Sequence, residues 1–205
     1  MKIKVCGMKY KENIEQVADL KPDYMGFIFY PASKRNVTDD VLLPEISPEI
    51  NKVGVFVNSN ADFIIEKIST HNLHCIQLHG AEPPFFCRQM KRITCIIKAF
   101  GIDEQFDFNK LKEYEDSCDY FLFDTKTPEH GGSGKQFNWE LLNNYSLTLP
   151  FFLSGGLDLE AAKKMKEMSV KYPLLYGIDV NSKFEKEPGI KDVDQLKQLM
   201  KLMRN

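Results

Sequence analysis

Asp124 ends the apolar run Tyr120-Phe121-Leu122-Phe123 and is followed by a polar loop carrying Gly131, Gly132, Ser133 and Gly134. A carboxylate at the C-terminal end of a strand is where α/β enzymes place proton-transfer chemistry. Glycines there let backbone N–H groups converge on an anion. Taken alone, the stretch fits a solvated surface turn equally well. Cys6 closes the first apolar run, and strand alternation sets Lys4 and Cys6 on one face, with Ile3 and Val5 on the other. A neighbouring ammonium favours a thiolate. Lys4, if enclosed, needs a carboxylate partner, and the strand parity of Asp124 and of Asp179 allows either. Arg35 follows a proline-led loop, and its fork suits a substrate carboxylate. His79 ends another apolar run, where it lines a pocket or is satisfied in the core. Together these groups suggest an acid, a base and an anion cradle.

Such residues need strands to hold them. Apolar runs predict strands near Lys2–Cys6, Tyr24–Phe29, Lys52–Val57, Cys75–His79, Cys95–Ala99, Tyr120–Asp124, Phe151–Ser154 and Leu175–Val180. Helical spacing marks Asn13–Leu20, Ala61–Ser69, Pro84–Lys91, Asp158–Met168 and Asp192–Met203, the last two opened by a capping aspartate. Asn109–Tyr114 is a weak helical segment, Asn138–Asn144 is a helical segment after the glycine loop, and Pro44 and Pro48 shorten or distort any helix within 38–50. Strand–helix alternation without hairpin signals implies a parallel sheet. Eight such units with no linker favour one α/β domain over residues 1–205, closed as a (β/α)8 TIM barrel.

In such a barrel the strand ends form one polar, glycine-rich face, whereas opposite loops such as Lys21-Pro22-Asp23 show ordinary turn chemistry. That asymmetry argues for an enzyme. Three loops after the last three strands carry Gly132, Ser133 and Gly134, then Ser154, Gly155 and Gly156, then Asn181 and Ser182. Loops after strands seven and eight are the recurrent phosphate cradle of these barrels. A phosphomonoester site is therefore expected.

The net charge of −2 over 205 residues leaves no nucleic-acid or membrane footprint, so local groups must hold any anionic ligand. No apolar run reaches membrane-spanning length, and the N-terminus shows no signal region. The five cysteines show no metal-ligand spacing. A cytoplasmic protein with free thiols is the natural reading.

At these positions the chain resembles phosphoribosylanthranilate isomerases. The matching stretches are Lys4-Val5-Cys6-Gly7-Met8, Gly26–Arg35, Val53–Asn58, Ile76-Gln77-Leu78-His79-Gly80 and Phe123-Asp124-Thr125 with Gly131–Lys135. Ser154-Gly155-Gly156 and Asp179-Val180-Asn181-Ser182 with Glu185, Pro188-Gly189 and Lys191-Asp192 complete the set in the family's order. The resemblance implies a (β/α)8 barrel, no cofactor or metal, a small phosphorylated substrate, and a monomer or homodimer. It implies an Amadori rearrangement in tryptophan biosynthesis, with Asp124 as general acid, Cys6 as general base and Arg35 on the anthranilate carboxylate. The phosphate would lie on the three glycine loops, with Lys4, His79 and Asp179 as further pocket groups. An acid that carries a proton near pH 7 needs a raised pKa, and a base drawn from a thiol needs a lowered one.

Other phosphosugar barrels share the phosphate loops. A pentose-phosphate epimerase wants metal-binding histidines at strand ends, where only His79 stands. An indole-glycerol-phosphate synthase wants a strand-end lysine acid, and a histidine-pathway isomerase wants two aspartates where Cys6 supplies one position. A silent phosphometabolite-binding barrel would have no use for the Cys6–Asp124 pair.

Overall fold

The computed structural model describes residues 1–38, 41–126 and 138–204. Eight parallel strands close into a barrel in sequence order: β1 (Lys2–Val5), β2 (Tyr24–Ile28), β3 (Asn51–Phe56), β4 (Cys75–Leu78), β5 (Cys95–Ile102), β6 (Tyr120–Thr125), β7 (Phe151–Leu153) and β8 (Leu175–Val180). The seam is β1 against β8, in a register that sets Lys4 opposite Asp179. The expected (β/α)8 barrel is therefore the fold.

Alternation along each strand sends side chains to two cores. Outward residues such as Ile3, Val5, Phe27, Phe121 and Phe123 pack beneath the helices. Those helices are α1 (Lys11–Ala18), α2 (Ala61–His71), α3 (Pro84–Lys91), α4 (Leu159–Met168) and α5 (Val193–Arg204). Inward residues Tyr24, Val53, Cys75, Ile97, Leu122 and Phe152 fill the lower half of the barrel. Tyr24 and Phe152 meet edge to face at 5.3 Å between ring centroids. This apolar plug excludes water from beneath the polar groups above it, which strengthens their interactions.

Asp158 accepts the Ala161 N–H at 2.8 Å, and Asp192 accepts from Asp194 and Gln195, so both expected caps start α4 and α5. The segments expected at Asn109–Tyr114 and Asn138–Asn144 are 3₁₀ helices, Phe108–Ser117 and Trp139–Asn144. Residues 41–50 form no helix, as the prolines require. An unforeseen hairpin, β9 (Glu185–Glu187) with β10 (Ile190–Lys191), follows β8. Among the described residues no helix is long and apolar enough to cross a membrane.

Candidate active site

The strand ends surround a cavity of about 750 Å³, lined by Cys6, Arg35, His79, Asp124 and Asp179 among others. Lys4 lies beneath it, fully buried, and donates to Asp179 at 2.9 Å. Of the two carboxylates that parity allowed, barrel closure selects Asp179, because the β1–β8 register puts the two Cα atoms side by side. Burial opposes the charge on Lys4, but the Asp179 carboxylate, aided by Cys6, outweighs it and holds the ammonium above the ordinary lysine value.

Cys6 is 4% exposed. Its thiol and the Lys4 ammonium converge on one gap, since a Cβ built on Gly26 would lie 2.7 Å from Cys6 Sγ and 3.1 Å from Lys4 Nζ. Glycine at position 26 is thus what lets the two groups share the space. The expected thiolate is not what the groups around Cys6 favour. Burial raises the Cys6 thiol, Lys4 pulls it down, Asp179 pushes it up, and the net shift is upward. The sequence revealed the nearby cation but not the depth of burial.

Asp124 is the last residue but one of β6, its Oδ1 accepting the Thr125 N–H at 2.8 Å. Its Oδ2 stands 3.5 Å from His79 Nε2. Gln77, two residues back on the same face of β4, contacts His79 Nδ1 through its amide nitrogen at 2.7 Å. With that amide donating, the ring proton sits on Nε2, facing Asp124. Gln77 was missed by the sequence reading, although its i, i+2 spacing from His79 was the available signal.

Arg35 reaches over the strand ends and is gripped by Glu185, Nε lying 2.9 and 3.0 Å from the two carboxylate oxygens and Nη2 at 2.5 Å. Glu185 also takes Lys191 Nζ at 2.7 Å, and Lys191 reaches Asn181 Oδ1 at 2.7 Å. Burial opposes the Glu185 charge, yet the Arg35 and Lys191 contacts keep its carboxyl below the usual range. No role for Glu185 or Lys191 was legible in the sequence.

Ser154, Gly155, Gly156, Asn181 and Ser182 line the same cavity, from the loops after β7 and β8. Gly132, Ser133 and Gly134 lie outside the described residues. Gly155 has φ +91°, and a Cβ there would lie 2.3 Å from Thr125 Oγ1 and 2.7 Å from the Thr125 nitrogen. Gly155→Ala is expected to cost about 1–3 kcal/mol of stability. The β7 loop would also be pushed off the end of β6, raising KM for a phosphorylated substrate more than it lowers kcat. Urea unfolding and steady-state kinetics check both effects.

Comparison with known proteins bears on this arrangement. The family model described as N-(5'phosphoribosyl)anthranilate (PRA) isomerase matches residues 3–202. The N-(5'-phosphoribosyl)anthranilate isomerase of Parabacteroides distasonis is 46% identical over 98% of this chain and 92% of that protein. The crystal structure of phosphoribosyl anthranilate isomerase from Thermotoga maritima superposes with a TM-score of 0.83 at 34% identity, covering 100% of this chain and 98% of that one. A solved phosphoribosyl anthranilate isomerase in complex with reduced 1-(o-carboxyphenylamino)-1-deoxyribulose 5-phosphate aligns with a TM-score of 0.79 at 29% identity, covering 100% of this chain and 98% of the other. With its sequence matched over residues 3–202 and its barrel superposing on a solved member, this chain belongs to the phosphoribosylanthranilate isomerase family.

Proposed function

We propose that the chain converts N-(5'-phosphoribosyl)anthranilate to 1-(2-carboxyphenylamino)-1-deoxyribulose 5-phosphate, an aldose-to-ketose step of tryptophan biosynthesis, in a single barrel domain and without cofactor or metal. The observation that carries this reading is one cavity lined by Cys6 and Asp124, with Arg35 and the Ser154–Gly156 and Asn181–Ser182 loops around them. The reaction needs one group to give a proton and another to take one. Asp124 protonates the ribose ring oxygen, and ring opening leaves a Schiff-base cation. Cys6 removes the C2′ proton, and the resulting enolamine tautomerises to the ketone. Arg35 receives the anthranilate carboxylate. Gly155 and Gly156, with Ser154, Asn181 and Ser182, take the phosphate, joined by the Gly132-Ser133-Gly134 stretch. Lys183 and Lys34, also on the cavity lining, add positive charge for an anionic substrate.

Lys4 and Asp179 form the polar floor under Cys6, and His79 faces the acid. The apolar plug below keeps this floor dry, so small charge rearrangements above it have large effects.

The test is turnover of phosphoribosylanthranilate generated in situ, followed by loss of its fluorescence. The purified chain is expected to consume it without added metal and to yield the ketose phosphate. A protein that binds the reduced product analogue but leaves the substrate untouched would overturn the enzymatic reading and leave a phosphometabolite-binding barrel.

A further inference from the structure

Lys191 is 1% exposed, an expensive place for an ammonium unless its surroundings require the charge. The β9–β10 hairpin puts it in register with Glu185. Its backbone is fastened to α1, where Asn13 Oδ1 accepts the Lys191 N–H at 2.7 Å and Asn13 Nδ2 donates to the Lys191 carbonyl at 3.0 Å. A simple clamp would pair one cation with one anion. Here two cations, Arg35 and Lys191, share the single carboxylate of Glu185, leaving the cluster with one positive charge in excess. Of the three, Arg35 is the group on the cavity lining. A largely buried excess charge calls for an anion to complete it.

We propose that Lys191 is a positioning and specificity-determining residue that, through Glu185, supplies the second positive charge of a carboxylate subsite whose contact group is Arg35. The inference rests on the functional reading above, in which Arg35 receives the substrate carboxylate. Glu185 holds the Arg35 fork in one orientation, and Lys191 offsets the negative charge that Glu185 would otherwise present to an incoming carboxylate. With the carboxylate bound, two cations face two anions and the cluster is neutral.

The charged and titratable groups facing Lys191 are Glu185 on its own hairpin, Arg35 from the loop after β2, and Cys6 from β1; Asn181 after β8 supplies a neutral oxygen. Burial pushes the Lys191 ammonium down to about 8 and Arg35 adds to the fall, against Glu185 and Cys6. As pH rises through that value the cluster goes from one net positive charge to none. The subsite should then lose its hold on a carboxylate, and binding one should draw a proton onto Lys191.

The experiment measures calorimetric affinity for two ligands at pH 7 and pH 9.5: reduced 1-(2-carboxyphenylamino)-1-deoxyribulose 5-phosphate and its counterpart lacking the carboxylate. Phosphate and thiol ionisation affect both ligands alike, so their difference isolates the subsite. Wild type is expected to lose about tenfold more affinity for the carboxylated ligand, the equivalent of one pKa unit of linkage. Lys191→Met should already be weakened by that factor at pH 7 for the carboxylated ligand alone, with no extra alkaline loss. Lys191→Arg, charged throughout, should keep its neutral-pH affinity at pH 9.5. Equal pH dependence for the two ligands in wild type sinks the proposal, whether or not either variant folds. So does a Lys191→Met protein that still discriminates between them. If wild type binds neither ligand, the functional reading itself fails and takes this inference with it.

Discussion

Asp124→Asn is expected to lower kcat by about 10³-fold, within the range that one positioned acid contributes. The substitution changes little else. Asparagine has the same shape, and its carbonyl oxygen can still accept the Thr125 N–H that now binds Asp124 Oδ1 at 2.8 Å. The carboxylate makes no lysine or arginine pair among the described residues, its ionic neighbour being His79 at 3.5 Å. Stability should therefore move by less than about 1 kcal/mol. What the amide cannot do is perform the proposed step, delivery of a proton to the ribose ring oxygen, without which the ring stays closed. KM should change little, because the residues proposed for the carboxylate and phosphate subsites lie elsewhere on the cavity wall, and an equal fall in kcat and kcat/KM marks an interaction made in the transition state. Steady-state kinetics on the in situ substrate gives the answer. A variant within tenfold of wild-type kcat would move the acid role to another group, with His79 the nearest candidate.

The barrel was legible because its strands are buried on both faces and read as apolar runs, each found within a residue or a few of its expected span. Lys98 made the fifth run look polar. In the structure that side chain points out of the barrel interior and donates to Glu82 at 3.1 Å and to the Leu78 and Gly80 carbonyls, tying β5 to the loop after β4. Lys4 could be recognised as a buried cation in need of a carboxylate. Which carboxylate was a matter of barrel closure across 175 residues, beyond any local pattern. The Glu185–Lys191 hairpin was hidden for a different reason. Its strands span three and two residues and carry Glu-Lys-Glu and Ile-Lys, which gives no alternation to detect. Its value lies in side-chain contacts to Arg35 and Asn181, which bring β2 and β8 loop residues together.

Cys6→Ser is expected to remove at least about 10³-fold of kcat while leaving binding of the reduced product analogue within a few-fold. Serine keeps a hydrogen-bonding group and fits the gap opposite Gly26, so loss of packing does not account for such a fall. Its hydroxyl is a far weaker acid than a thiol, and the anion needed to take the C2′ proton does not form. The thiol itself starts at a disadvantage. Burial holds it above its ordinary pKa, so at neutral pH it is protonated. Alkylation of Cys6 in the free enzyme should accordingly keep accelerating through pH 9 without a plateau, read from the mass of the Cys6 peptide. In the proposed reaction the missing stabilisation arrives during turnover, when ring opening puts a Schiff-base cation in the cavity. A positive charge close to sulfur in a dry site lowers the thiol pKa strongly, and on the proposed mechanism it appears only after Asp124 has given up its proton. Acid and base then act in order, the first step creating the charge that activates the second. On this account deuterium at C2′ slows single-turnover conversion by wild type, and Asp124→Asn abolishes that isotope effect because ring opening has become limiting. A serine variant that keeps more than a tenth of wild-type kcat, or an alkylation plateau below neutral pH, would remove Cys6 from the base role.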